Sequence, residues 1–272
     1  MKILKLAYSL LAYVFFLGVF NYLVLFLGAN FLADWLPILA SLKTIDAGEA
    51  YFEITFLPVW LGNAVLLVAF SLHHSVFARL GVKRVLTRFI PQSAERSTFV
   101  LLTCCILTWM YLAWQPQTAI VWHVEGGMKI GLALLFLMGA GLVLWSTFMI
   151  SHWRLFGLEQ AWNDFKGHAP AEDRFATPAL YKYSRHPMYV GILVVLWSTP
   201  HMTAGHLLLA VVWSLYVFIG IYFEERDLVR HFGQRYRDYQ ASVSKLLPFR
   251  AIGKSIRSQE SRSAQSSSVE GH

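Results

Sequence analysis

An all-α fold, a polytopic bundle of membrane-spanning helices, is what this sequence predicts, and three observations carry the prediction. Only 14% of the 272 residues are charged, while 56% are hydrophobic and 15% aromatic; a soluble globular chain carries about 25% charged residues. The apolar residues gather in blocks as long as a bilayer is thick. Basic residues collect in alternate loops, as expected of a chain threaded back and forth through a membrane.

The blocks follow in order. Residues 7–29, 55–76, 98–115 and 128–150 are each predominantly apolar, near the roughly 20 residues that a crossing needs. The first is too long for a signal-peptide core and lacks a small-residue cleavage site, so it is expected to stay as a span. A further region, 187–223, is interrupted at Ser198-Thr199-Pro200-His201 and at Gly205 and reads as a short helical hairpin. The total is then five to six spans, according to how deeply the hairpin inserts. A charged, aromatic-rich helix continues to about residue 243, and 251–272, rich in Ser, Arg and Gln, is expected to be a disordered tail. The chain thus divides into four spans (1–150), a cofactor-binding and catalytic region with the hairpin (151–250), and the tail (251–272).

Loop charges set the orientation. Lys2 and Lys5 precede the first span with no acid beside them, and loop 30–54 sets Lys43 against Asp34, Asp46, Glu49 and Glu53. Loop 77–97 sets Arg79, Lys83, Arg84, Arg88 and Arg96 against Glu95, and five basic residues lie in 151–186. The positive-inside rule places both termini and these two basic loops in the cytoplasm. The net charge of +7 is thereby a topology signal facing lipid headgroups, not a nucleic-acid footprint. Cys104 and Cys105 are adjacent and point about a hundred degrees apart on a helix, so they read as packing residues. The histidines lack the clustered spacing of membrane metal enzymes, and no metal is expected.

Two stretches concentrate polar chemistry. The first is Tyr181-Lys182-Tyr183-Ser184-Arg185-His186-Pro187-Met188-Tyr189-Val190-Gly191. Proline is favoured at the first helical position, which puts Arg185 and His186 beside free backbone N–H groups able to take an anion. The second is Glu224-Glu225, followed by Phe232-Gly233, Tyr236, Tyr239 and Pro248. Neither acid has a cation three or four residues away on its helix. Acids at membrane depth need a partner, so it must come from another segment or from a bound cation.

These two stretches, in this order, resemble the isoprenylcysteine carboxyl methyltransferase and phospholipid methyltransferase superfamily of membrane enzymes. Shorter fragments are similar to the nurim family, and within it to bacterial methanethiol S-methyltransferases: His74-Ser75 with Ala78-Arg79, Pro91, Glu95-Arg96-Ser97, and Leu155-Phe156-Gly157-Leu158 with Gln160. The resemblance implies S-adenosyl-L-methionine as cofactor and a small thiol, methanethiol, as substrate, giving dimethyl sulfide; it also implies a bacterial inner membrane. It places Leu180, Tyr181, Arg185, His186, Pro187, Met188, Tyr189, Glu224 and Glu225 at the cofactor, with one of the two glutamates on its amino group. The isoprenylcysteine enzymes carry a substrate-binding Arg about a turn before the Glu pair, whereas residues 215–223 here contain no positive charge. That wall suits a small, uncharged substrate.

Thiolate attack on a sulfonium cancels charge, which a water-poor site favours, and Tyr181, Tyr189 or Tyr222 can steady the sulfonium by cation–π attraction. His186 is the first candidate for the base that ionises the thiol, with His74 and His152 as rivals. Two other readings compete: a methyltransferase for isoprenyl or lipid thiols, and a nurim-like scaffold without turnover.

Overall fold

A computed structural model describes residues 1–169 and 177–247. Pro170, Pro248 and the expected tail at 251–272 lie outside the described residues. The fold is a polytopic helical bundle. Its long members are α1 (Lys2–Leu32), α2 (Val59–Phe77), α4 (Gln92–Ala113), α5 (Gly126–Ile150) and α9 (Ala204–Phe232), each long and apolar enough to cross a membrane. Shorter pieces are α3 (Leu80–Leu86), α6 (His152–Leu155), α7 (Leu158–Lys166), the apolar α8 (Pro187–Trp197) and α10 (Gln234–Ser242). Strands β1 (Ile120–His123) and β2 (His201–Thr203) form one small antiparallel ribbon.

The helices pack chiefly in pairs, α5 on α8, α1 on α4 and α2 on α9. Phe26, Leu66, Met110, Trp114, Phe136 and Leu209 form the sealed centre. Leu11, Val68, Leu134, Trp145, Leu215 and Phe218 are turned outward and exposed. A soluble monomer does not display so much contiguous apolar surface; here it faces lipid.

Several boundaries extend past the apolar blocks. Helix α1 begins at Lys2 and α4 at Gln92, so Arg96 lies inside a helix. Hydropathy reports the lipid-buried stretch, whereas backbone hydrogen bonding continues into charged turns. Helix α9 has 29 residues, about 43 Å of rise against a hydrocarbon core of about 30 Å. Twenty residues from Ala204 end at Phe223, so Glu224 and Glu225 sit where the apolar part of α9 gives out.

The predicted hairpin is α8, a connection through 198–203, and α9. Helix α8 has 11 residues, a rise of only about 16 Å. The non-helical connection is covered by protein: Ser198, Thr199 and Thr203 are buried, and Trp122 Nε1 donates to the Thr199 carbonyl at 3.0 Å. Irregular backbone is tolerated beside lipid only under such cover. The β1–β2 ribbon supplies it, a feature absent from the hydropathy pattern.

Helix α8 is seated on α5 glycine to glycine. A Cβ on Gly191 would lie 2.8 Å from the Gly139 carbonyl oxygen, and one on Gly139 would lie 2.8 Å from Val194. Small residues let membrane helices approach this closely. Gly191→Val is therefore expected to push α8 off α5 and lower the thermal midpoint in detergent by several degrees; a wild-type midpoint would show that the contact is dispensable.

The two ends of the bundle differ. At one end, Lys43 Nζ donates to the carbonyls of Gly48, Glu49 and Trp114, and Asp46 accepts from Asn30 and Thr203. At the other, the basic end, α7 is tied to α1 by Lys5–Asp164 at 2.6 Å, and α2 to α9 by Arg79–Asp227 at 3.3 Å. The start of α8 and the Glu pair lie at this basic end.

Candidate active site at the basic end of the bundle

Pro187 opens α8, as its fixed φ and missing N–H favour, and His186 is the preceding, non-helical residue. A short 3₁₀ turn over Ala179–Lys182 leads into it. On the opposite wall α9 ends at Gly233, whose φ of 59° and ψ of −131° break the helix and start α10. A side chain would be strained there. The turn folds α10 and the segment after it back over residues 181–186: Arg185 N donates to Ser244 O at 3.0 Å, and the Tyr239 hydroxyl donates to Tyr181 O at 2.5 Å. Burial pushes the Tyr239 hydroxyl up to about 12 and raises Tyr181 also, with Glu224 as a lesser cause for Tyr181. Tyr239 is thus held as a protonated donor.

The two glutamates have different surroundings. Glu225 is buried and its carboxylate is fully engaged: Oε1 accepts from Arg185 Nε at 2.7 Å and from His186 Nε2 at 3.1 Å. Its Oε2 accepts from Gln240 Nε2 at 3.3 Å, with Lys245 Nζ at 3.8 Å. Arg185 in turn donates through Nη1 to the carbonyls of Gln240 and Val243. The missing intrahelical cation of the sequence is therefore supplied from the segment before α8, across the bundle.

Glu224 faces outward, its side chain 43% exposed. Its Oε2 accepts from the Tyr189 hydroxyl at 2.8 Å, and His186 Nδ1 lies 3.9 Å away. It has an open coordination side where Glu225 has none. Beside it, α8 presents the N–H groups of Met188 and Tyr189, which the first turn of a helix leaves without intrahelical acceptors.

The structure thus brings Arg185, His186, Tyr189, Glu224 and Glu225 into one cluster, with Tyr181 within electrostatic reach of Glu224. Pro187 is buried at the helix start, while Leu180 and Met188 are half-buried flanking residues. Tyr222 is not brought in; it is 62% exposed and packs on Phe223. The residues that sequence reasoning left without a role are Gln240, Val243 and Lys245, which hold Arg185 and Glu225. Their only sequence signal was proximity to the Tyr236–Tyr239 motif.

The shorter fragments also converge. Arg96 Nε donates to Leu155 O at 2.7 Å, and Gly157 abuts Ser97 so closely that a Cβ would collide with it. His74 lies against Phe99 of α4, with Arg96 beside that ring at 5.0 Å.

Residues 128–235, from α5 into α10, match the phospholipid methyltransferase family. A methanethiol S-methyltransferase of a Pseudomonas species is 41% identical over 250 residues, 92% of this chain and 92% of the relative. One from Mycobacterium tuberculosis is 40% identical, covering 91% of this chain and 97% of its own. The nurim homolog of Drosophila melanogaster is more distant, at 24% identity over 61% of this chain and 68% of its own. No solved structure matches. With identity of about 40% sustained across nearly the whole of both chains, this chain belongs to the methanethiol S-methyltransferase family of membrane methyltransferases.

Proposed function

We propose that this protein transfers a methyl group from S-adenosyl-L-methionine to methanethiol, releasing dimethyl sulfide, at the basic end of its bundle. The observation that carries the reading is near-full-length similarity to methanethiol S-methyltransferases. The site's chemistry supports it. A cationic donor with a free amino group suits Glu224, whose carboxylate retains unused acceptor capacity. Its carboxylate end suits the unpaired N–H groups at the start of α8.

When bound, that donor supplies an electrophilic methyl group on a sulfonium. The chain's own residues bind and orient it. Glu224 holds the ammonium, with Tyr189 fixing the carboxylate; Leu180, Tyr181, Pro187 and Met188 wall the pocket. Arg185, His186 and Glu225 form the fixed floor that sets the positions of α8 and α9. Tyr181 and Tyr189 offer ring faces to the sulfonium. A water-poor site favours the charge-cancelling transfer. The basic end faces the cytoplasm, by the positive-inside rule, where a soluble cofactor would be met.

The test is headspace analysis of a host lacking the activity. Cells expressing the protein and given methanethiol are expected to release dimethyl sulfide; methylated lipid without that gas would replace the substrate assignment. A purified protein that binds no S-adenosylmethionine would leave the nurim-like scaffold as the reading.

A further inference from the structure

Three histidines, His74, His152 and His186, are the candidate bases from the sequence, and their hydrogen bonds differ. His186 is tied through Nε2 to Glu225 at 3.1 Å. His152 has both ring nitrogens engaged, Nδ1 with the Thr147 hydroxyl at 2.7 Å and Nε2 with the Tyr13 hydroxyl at 2.8 Å. For His74 no hydrogen bond is found at either nitrogen among the described residues, and Nδ1 is buried without a partner. Leaving a buried polar atom unpaired costs about 1–3 kcal/mol. Packing offers no compensation that an apolar ring would not provide equally.

The surroundings of His74 indicate what the imidazole is for. Its ring stacks on Phe70 at 5.9 Å, packs on Phe99 at 5.2 Å and meets Tyr216 edge-on at 6.5 Å. Phe70 also packs on Trp213 of α9 at 5.2 Å, and Trp213 Nε1 is likewise buried without a partner. On its other side Trp213 lines a half-open apolar groove of ≈ 50 Å³, with Ile192 and Val195 of α8 in its wall. That is several times the space one water needs, and scaled to a molecule of a few heavy atoms.

Tyr216 links this corner toward the donor site. Tyr216 and Glu224 lie eight residues apart on α9, about 12 Å of rise. Ser75 donates to the Tyr216 hydroxyl at 3.5 Å, Tyr189 is within electrostatic reach of Tyr216, and Tyr189 reaches Glu224. His74, Tyr216, Tyr189 and Glu224 therefore mark a line from the apolar corner to the rim. The other titratable groups facing His74 are Arg96 from α4 and His73 on its own helix. His73 likewise has both nitrogens buried without a hydrogen-bond partner among the described residues; its ring packs on Phe77, whereas it is His74 that meets Tyr216.

We propose that His74 is the base that accepts the proton of the substrate thiol. This rests on the methyl-transfer reading above. His74 Nε2, which is not among the buried atoms, takes the S–H proton. A sulfur lone pair then forms the new S–C bond to the methyl group as the methyl–sulfonium bond breaks. The electrons of that bond stay on the donor's sulfur, leaving a neutral thioether, and the proton leaves His74 for water at the basic end.

The experiment compares methanethiol with methaneselenol, a near-isostere that is already an anion at neutral pH, using the purified full-length protein in detergent. His74→Gln is expected to lose at least about a hundredfold of dimethyl sulfide formation near pH 7. The loss should shrink by about tenfold per pH unit as the thiolate fraction grows. Dimethyl selenide formation and S-adenosylmethionine binding, the latter read by calorimetry, should stay close to wild type. Equal losses on both substrates, or no loss on methanethiol, would overturn the assignment. A wild type that makes neither product would instead remove the methyl-transfer reading.

Discussion

Glu224→Gln is expected to weaken donor binding by about tenfold or more while leaving the protein folded. Among the described residues its carboxylate receives one hydrogen bond, from Tyr189, and its side chain is 43% exposed, so its loss disturbs little packing. A charge-assisted hydrogen bond to the donor's ammonium is worth about 1.5–3 kcal/mol, or roughly ten- to a hundred-and-fiftyfold in Kd. Calorimetric titration with S-adenosylmethionine, alongside a melting curve, checks both halves. An unchanged Kd would remove Glu224 from the donor site.

Glu225→Ala should behave differently and cost stability first. The Arg185–Glu225 pair is almost sealed, with side chains 8% and 11% exposed. Removing one partner of a buried pair strands the other charge and costs about 3–5 kcal/mol. Arg185 also holds the carbonyls of Gln240 and Val243, so the segment after α10 should loosen with it. Detergent melting is the first readout, and Arg185→Ala should match it closely. A Glu225→Ala protein that melts like wild type but fails to bind the donor would reassign Glu225 to the cofactor. The contrast between the two variants is the sharpest test of the site, because adjacent acids of identical chemistry are predicted to fail for different reasons.

Much of this was legible in the residues alone. Bilayer-length apolar blocks can satisfy their backbone groups only as helices, so five long helices and the short α8 followed from composition and order. The Arg185-to-Gly191 stretch and the Glu pair were recognisable because charges bordering apolar runs are costly and therefore conspicuous. What stayed hidden depends on contacts between distant segments. The β1–β2 ribbon is too short to leave a periodic signature. Gly191 was noticed as part of a motif, but its reason, the Gly139 backbone beneath it, lies some fifty residues earlier.

The sequence by itself determined a polytopic helical bundle and a family of membrane methyltransferases, because hydropathy and motif order are written along the chain. Only the tertiary structure distinguished the two glutamates. It put Arg185 and His186 on Glu225, set Glu224 beside Tyr189, and gave His74 no hydrogen-bond partner among the described residues while His152 and His186 had theirs. The physical reason is that a hydrogen bond's partner is set by position in space. Neighbouring residues on one helix point about a hundred degrees apart and so meet entirely different walls of the bundle.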